Sequence, residues 1–164
     1  MTPILNVPFL PDEHYIACLE QCTADLESVH FCLEHEPCLD SRVRVGNAGA
    51  LAGLARLPGV RKYALLNSRF HDPRLLVSGR GLQPLVRTLS GLLDRGLVDG
   101  IVYCDHYLLQ RLADEAPELA GRLEAAPGGN TMLDSFAKVE AQLASIRETG
   151  FRTPAKIILD RSLN

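Results

Sequence analysis

Short apolar runs alternate with amphipathic helical stretches along the whole chain. Six runs of four to six residues predict strands, at residues 4–8, 28–33, 62–67, 99–104, 122–126 and 156–159. Between the runs, apolar residues recur at helical spacing, most regularly from Leu82 to Leu93. Alternation of this kind is typical of parallel strands covered by helices, which places the chain in the α/β class.

The number of predicted strands decides the architecture. A TIM-type barrel contains eight parallel strands, each followed by a helix, and this chain contains only six predicted strands. We therefore expect an incomplete parallel (β/α) barrel of TIM type, with residues 1–164 as a single (β/α) domain that is truncated at its C-terminus. The alternative is an α/β fold complete in six units.

Composition and charge narrow the classes of function. The chain is 46% hydrophobic and 23% charged, with a formal net charge of −3. That balance gives no electrostatic basis for non-specific nucleic-acid binding. No apolar stretch is long enough to span a bilayer, and the first residues lack a secretory pattern. We expect a cytoplasmic protein whose partner is a small-molecule or macromolecular substrate.

The five cysteines form no zinc-ribbon or redox-motif spacing. Cys32, Cys38 and Cys104 could ligate a metal or an iron–sulfur cluster, and the alternative is that they are reduced thiols. The histidines of the strand ends, His71 and His106 among them, show no HxH or HExxH spacing. We therefore predict no metal-binding residue from the spacing.

Polar residues follow the predicted strands at the point where each strand ends. They are Asn67, Arg69, Asp105, Asn130, Asp160 and Arg161. Because the carboxyl ends of parallel strands meet at one edge of the sheet, where α/β proteins bind ligands, these residues predict a site there.

The residue types suggest roles in that site. Asp105 or Asp160 would be the general acid or base. Arg69 and Arg161 would bind an anionic group of the substrate, and Asn67 and Asn130 would orient it. Three alternatives remain open: Asp105 as a helix cap, Asn130 as a turn residue, and Asp160 with Arg161 as a structural ion pair.

From the third strand onward, the order of motifs resembles one known family. A strand ending in Asn leads to a long helix, then to a glycine-aspartate strand ending in Asp, a leucine-rich helix and a Pro-x-Leu turn. The residues involved are Leu66-Asn67-Ser68, Gly96-Leu-Val-Asp-Gly-Ile-Val-Tyr-Cys-Asp105, Leu108-Leu-Gln-Arg-Leu112, Pro117-Glu-Leu119, Asn130 and Leu159-Asp-Arg-Ser-Leu163. This pattern, over residues 62–164, resembles the collagenase-like U-thirty-two peptidase family.

The resemblance implies a TIM-type barrel and an enzyme that acts at the strand ends on an anionic or polar substrate. Members of the family are classed as peptidases, and several look like iron–sulfur proteins of oxygen-independent hydroxylation. An iron–sulfur cluster is therefore possible in the full-length protein, although the family's clustered cysteines largely follow the sixth strand. Asn67, Asp105, Asn130 and Arg161 are the residues that the resemblance carries over. The alternative function is a non-catalytic binding or assembly subunit, which needs a partner chain to complete its barrel.

Overall fold

The computed structural model describes residues 4–33, 49–68, 71–77 and 79–160. Within these residues, five parallel strands form one sheet in the order β1-β2-β3-β4-β5, so each strand pairs with its neighbours in the sequence. The strands are β1 Leu5–Pro8, β2 Leu26–Cys32, β3 Arg61–Leu66, β4 Gly100–Tyr103 and β5 Glu124–Pro127. The predicted α/β class is confirmed, and the parallel sheet is consistent with part of a TIM-type barrel, but a barrel itself is not confirmed.

The helices lie between the strands, as the alternating pattern predicts. They are α1 Glu13–Gln21, α2 Pro73–Val77, α3 Gly79–Asp94, α4 His106–Glu115, α5 Pro117–Ala120 and α6 Phe136–Glu148, with 3₁₀ helices at Ala50–Arg56 and Gly129–Thr131. Asp12 caps α1 by accepting the Tyr15 N–H at 2.8 Å. The regular leucine spacing of α3 reflects burial, since Leu82 and Leu85 are fully buried.

The sheet separates two apolar clusters of different size. The larger cluster joins the helices to one face of the sheet and includes Ala64 and Leu66 of β3. The smaller cluster contains Tyr63 and Leu65 from the same strand, together with Cys32, Val102 and Ala126. Successive residues of β3 therefore point to opposite faces, as in any strand. We call the face with the smaller cluster the inner face.

The predicted sixth strand at residues 156–159 is wrong. The structure gives this segment no strand, and its approach to the sheet is a single parallel bridge between Arg152 and Glu124. The physical reason is that side-chain contacts replace strand pairing here. The Ala155 N–H, just before the segment, donates to the Glu124 carboxylate at 3.3 Å, and Lys156 hydrogen-bonds to the side chains of Asn6 and Ser28.

Polar side chains occupy the inner face near the amino ends of the strands. Tyr63 donates its hydroxyl proton to the buried Glu124 carboxylate at 2.7 Å. Lys156 lies over the Tyr63 ring, 5.3 Å from its centre, and hydrogen-bonds to Asn6 and Ser28. These contacts tie the segment after α6 to β1, β2, β3 and β5.

Two further helices begin after a small or polar residue. The 3₁₀ helix Ala50–Arg56 follows Gly49. Ser135 caps α6 by accepting the Lys138 N–H at 3.4 Å. Across the described ranges, no helix is long and apolar enough to cross a membrane.

Candidate functional site

Three loops meet where β3, β4 and β5 end. The Asn130 side-chain amide donates to the Asn67 carbonyl at 3.2 Å, which joins the loop after β5 to the loop after β3. The Cys104 thiol donates to the Ser68 carbonyl at 2.7 Å, which joins the loop after β4 to the same loop. We call these joined loops, residues 67–68, 104–105 and 128–131, the carboxyl edge.

Gly128 allows the loops to come this close. A Cβ atom placed on Gly128 would lie 3.1 Å from Val102 Cγ1, 3.2 Å from the Tyr103 carbonyl oxygen and 3.7 Å from Asn67 Cβ. The first two distances are tighter than ordinary van der Waals contact. The Gly128 N–H also donates to the Tyr103 carbonyl at 2.7 Å. A side chain at this position would push the loops apart.

His71 lies just beyond the carboxyl edge, ahead of α2. Both nitrogens of its ring are buried and have no hydrogen-bond partner in the described part of the chain. Burial lowers the pKa of the imidazole, and the negative charge of Asp105 partly offsets this effect. The lowered pKa favours the neutral ring, whereas the Asp105 charge favours a proton on it.

Unpartnered polar atoms concentrate beside the ends of β3 and β4. Asn67 Oδ1, both His71 ring nitrogens and His106 Nδ1 are buried without a hydrogen bond, and the described residues contain only two other such atoms, Arg61 Nη1 and Arg111 Nε. Buried polar atoms in folded proteins are nearly always paired with protein or water. A ligand or bound water could pair the atoms of Asn67 and His71.

Asp105 is a helix cap, which is the alternative that the sequence left open for this residue. One carboxylate oxygen accepts the Tyr107 N–H at 2.8 Å and the Leu108 N–H at 3.4 Å, at the start of α4. Capping fixes the carboxylate in place at the carboxyl edge. Its effect on the pKa of His71 indicates that the same charge also reaches the imidazole.

His106 is turned toward the helix layer rather than the inner face. Its Nε2 lies 3.0 Å from the Ser145 hydroxyl on α6. Next to it, Gln142 of α6 donates to the Tyr103 hydroxyl at 2.5 Å, and burial raises the pKa of Tyr103 to about 12. Tyr103 belongs to the larger, helix-covered cluster. These contacts hold α6 against β4 and α4 and explain the burial of His106 without a catalytic role.

The remaining predicted site residues lie at or beyond the limits of the described structure. Asp160 donates its backbone N–H to the Leu133 carbonyl at 3.0 Å, shortly after the Gly129–Thr131 turn. Arg69 and Arg161 lie outside the described residues. The structure thus brings Asn67 and Asn130 into direct contact and holds Asp105 in the adjoining loop. The roles of all six residues stay predictions.

The described cysteines do not fit an iron–sulfur cluster. Cys32 is buried on β2, Cys104 is half-buried at the carboxyl edge, and Cys38 lies outside the described residues. In residues 4–33, 49–68, 71–77 and 79–160, no three His, Cys, Asp or Glu side chains gather where one metal ion could be held.

One comparison with solved structures supports the resemblance inferred from the sequence. The chain matches the structure of the U32 peptidase Mk0906 with a TM-score of 0.63 and 20% sequence identity. The match covers 100% of this chain and 60% of that chain. Neither a family model nor a curated protein matches the chain. The U32-like relationship is therefore confirmed for the fold.

Proposed function

We propose that this chain is a U32-peptidase-like hydrolase that binds a polar or anionic substrate at the carboxyl edge and cleaves an amide bond there. The fold likeness to a U32 peptidase supports the class. The observation that carries the proposal is the group of unpartnered buried atoms on Asn67 and His71. Burying such atoms without partners costs stability, which a bound substrate or catalytic water would recover.

His71 is the general base in this proposal. Its lowered pKa keeps the imidazole neutral near pH 7, so a ring nitrogen can take a proton from water as the water oxygen attacks the amide carbonyl. The nearby Asp105 charge stabilises the imidazolium that results. The same proton then passes to the leaving amine when the C–N bond breaks.

Asn67 and Asn130 orient the substrate. Asn67 Oδ1 is a buried acceptor without a partner, suited to an N–H group of a peptide. Asn130 holds the Asn67 backbone in place through its hydrogen bond of 3.2 Å. Arg69 and Arg161 would bind an anionic part of the substrate, and Asp160 would be a second acid or base; these assignments rest on the sequence.

A peptide mixture analysed by mass spectrometry for new termini tests the proposal. We expect cleavage by the wild-type chain and a loss of roughly 100-fold or more in His71→Gln, the size typical of a removed general base. His14→Gln is the matched control, because His14 is exposed on α1. A folded His71→Gln variant that cleaves at the wild-type rate would exclude His71 as the base. A wild-type chain that cleaves none of the peptides would overturn the proposal.

A further inference from the structure

Two cysteine thiols are exposed one helical turn apart on α1. Cys18 lies inside the helix Glu13–Gln21, and Cys22 is its C-terminal cap. Both cysteines are free and exposed, whereas cysteine is among the residue types most often buried in folded proteins, even without a disulfide. The side of α1 that faces the core contains Ile16 and Leu19 instead. Core packing therefore does not account for this pair of thiols.

The backbone at Cys22 is fixed on both sides. The Cys22 N–H donates to the Leu19 carbonyl at 3.1 Å, and the Cys22 carbonyl accepts the Asp25 N–H at 2.9 Å. Leu19 and Leu26, on either side of this turn, are buried in the core. Side chains four residues apart on a helix have Cβ atoms about 5–6 Å apart. The thiols of Cys18 and Cys22 therefore neighbour each other on a part of the surface that the core holds in place.

This spacing suits an ion that bridges the two sulfurs better than it suits a disulfide. A disulfide needs Cβ atoms about 3.5–4.5 Å apart, so forming one would require the last turn of α1 to unwind. A bridging ion adds two metal–sulfur bonds of about 2.3 Å each, the length of a zinc–thiolate bond, and lets the sulfurs stay as much as about 4.6 Å apart. The helix can therefore hold such an ion without changing its backbone.

The number of donors selects the ion. Among the described residues, no three His, Cys, Asp or Glu side chains are placed to hold one ion, so this pair offers two sulfurs and no third such ligand. Zinc takes four ligands in structural sites, whereas Cu(I) is selected by soft thiolates and forms linear complexes with two of them. We propose that Cys18 and Cys22 form a two-thiolate site for a soft monovalent ion, Cu(I), which replaces both thiol protons as it binds. This site is independent of the proposed hydrolysis.

Anaerobic titration of the intact, reduced chain with Cu(I), in competition with a coloured Cu(I) chelator, tests the site. We expect one Cu(I) per chain, retained against excess glutathione, because two sulfurs on one helix act at a high effective concentration and glutathione offers one sulfur per molecule. Cys18→Ser and Cys22→Ser should each weaken binding by roughly 100-fold or more. His14→Gln, exposed one turn before Cys18, and Cys38→Ser are the controls and should bind Cu(I) as wild type does.

Two further measurements complete the test. Circular dichroism should show that both serine variants keep their helix content, and X-ray absorption at the copper edge of the wild-type complex should show two sulfur ligands. Copper that glutathione removes as easily from wild type as from Cys18→Ser would be adventitious and would overturn the inference. Undiminished binding in the serine variants, weaker binding in either control, or more than two ligands on the copper would also overturn it.

Discussion

Glu124 and Tyr63 provide the sharpest test of how the inner face is held together. Glu124 is 7% exposed and accepts the Tyr63 hydroxyl at 2.7 Å and the Ala155 N–H at 3.3 Å. Arg61 and Arg152 approach its carboxylate at 4.0 and 3.9 Å. Burial and the neighbouring carboxylate raise the pKa of Tyr63, so its hydroxyl stays a donor over the whole working range of pH.

The loss of stability on removing the Tyr63–Glu124 hydrogen bond can be estimated from the kind of bond. A hydrogen bond to a charged group contributes about 1.5–3 kcal/mol, so Tyr63→Phe should destabilise the fold by about 2 kcal/mol. The ring stays in place, so the Lys156 contact with it is preserved. Glu124→Ala also removes the Ala155 contact and should cost about 3 kcal/mol. The two arginine side chains are 41% and 59% exposed, so each pair adds little.

A double-mutant cycle by urea unfolding measures the coupling directly. We expect the two substitutions together to cost less than their sum, with an interaction energy of about 1–2 kcal/mol, because both remove the same hydrogen bond. Glu118→Ala on the exposed side of α5 is the control and should stay within about 0.5 kcal/mol of wild type. If the two free-energy changes added to within about 0.3 kcal/mol, the Tyr63–Glu124 hydrogen bond would be refuted.

Three further predictions concern the carboxyl edge. Asp105→Ala should lower the free energy of unfolding by about 1 kcal/mol because it removes the α4 cap, whereas Asp105→Asn should retain it because Asn also caps helices. A loss of peptide cleavage in the stable Asp105→Asn variant would then show that the carboxylate takes part in the reaction. Burial lowers the pKa of His71 in the folded state, so the unfolded chain is protonated at higher pH and the stability of the fold should decrease as the pH drops below about 6.5. In thermal unfolding between pH 7 and 5, His71→Gln should show a smaller decrease than wild type. Gly128→Ala should destabilise the fold by about 1–3 kcal/mol because the added Cβ forces the loops apart. On α3, a Cβ at Gly91 would meet nothing within 4 Å, so Gly91→Ala should stabilise the fold by about 0.5–1 kcal/mol. Chemical denaturation measures both changes.

The elements that were predictable from the sequence are those that local burial dictates. Strand β4 and the part of β3 from Tyr63 to Leu66 are continuous apolar runs because both of their faces are covered. The leucines of α3 recur at helical spacing because one side of the helix is in the core. The segment 156–159 has an equally apolar pattern, and the prediction of a strand there is wrong. Its conformation depends on contacts of Lys156 with Asn6 and Ser28, which lie far away in the sequence. Periodicity carries no information about such contacts.

The sequence predicts where the candidate site lies but only some of the residues that form it. The rule that ligands bind at the carboxyl ends of parallel strands points to Asn67 and Asn130, which the structure brings into contact. The importance of His71 comes from its burial without partners, a property of packing that no sequence spacing encodes. The contact of Cys104 with Ser68 escapes prediction for the same reason, because it joins two loops that are 36 residues apart in the sequence.

The two ends of the sheet differ in whether their buried polar side chains are hydrogen-bonded, and this difference supports the proposed site at the carboxyl edge. At the amino ends, Glu124 and Lys156 are paired with neighbouring side chains, and even the unbonded Arg61 Nη1 lies 4.0 Å from the Glu124 carboxylate. At the carboxyl edge and just after it in the sequence, Asn67 Oδ1 and the two His71 ring nitrogens have no hydrogen-bond partner among the described residues, although paired polar groups would stabilise the fold. Bound water or a substrate would supply the missing hydrogen bonds, and the proposed hydrolysis needs both at this edge.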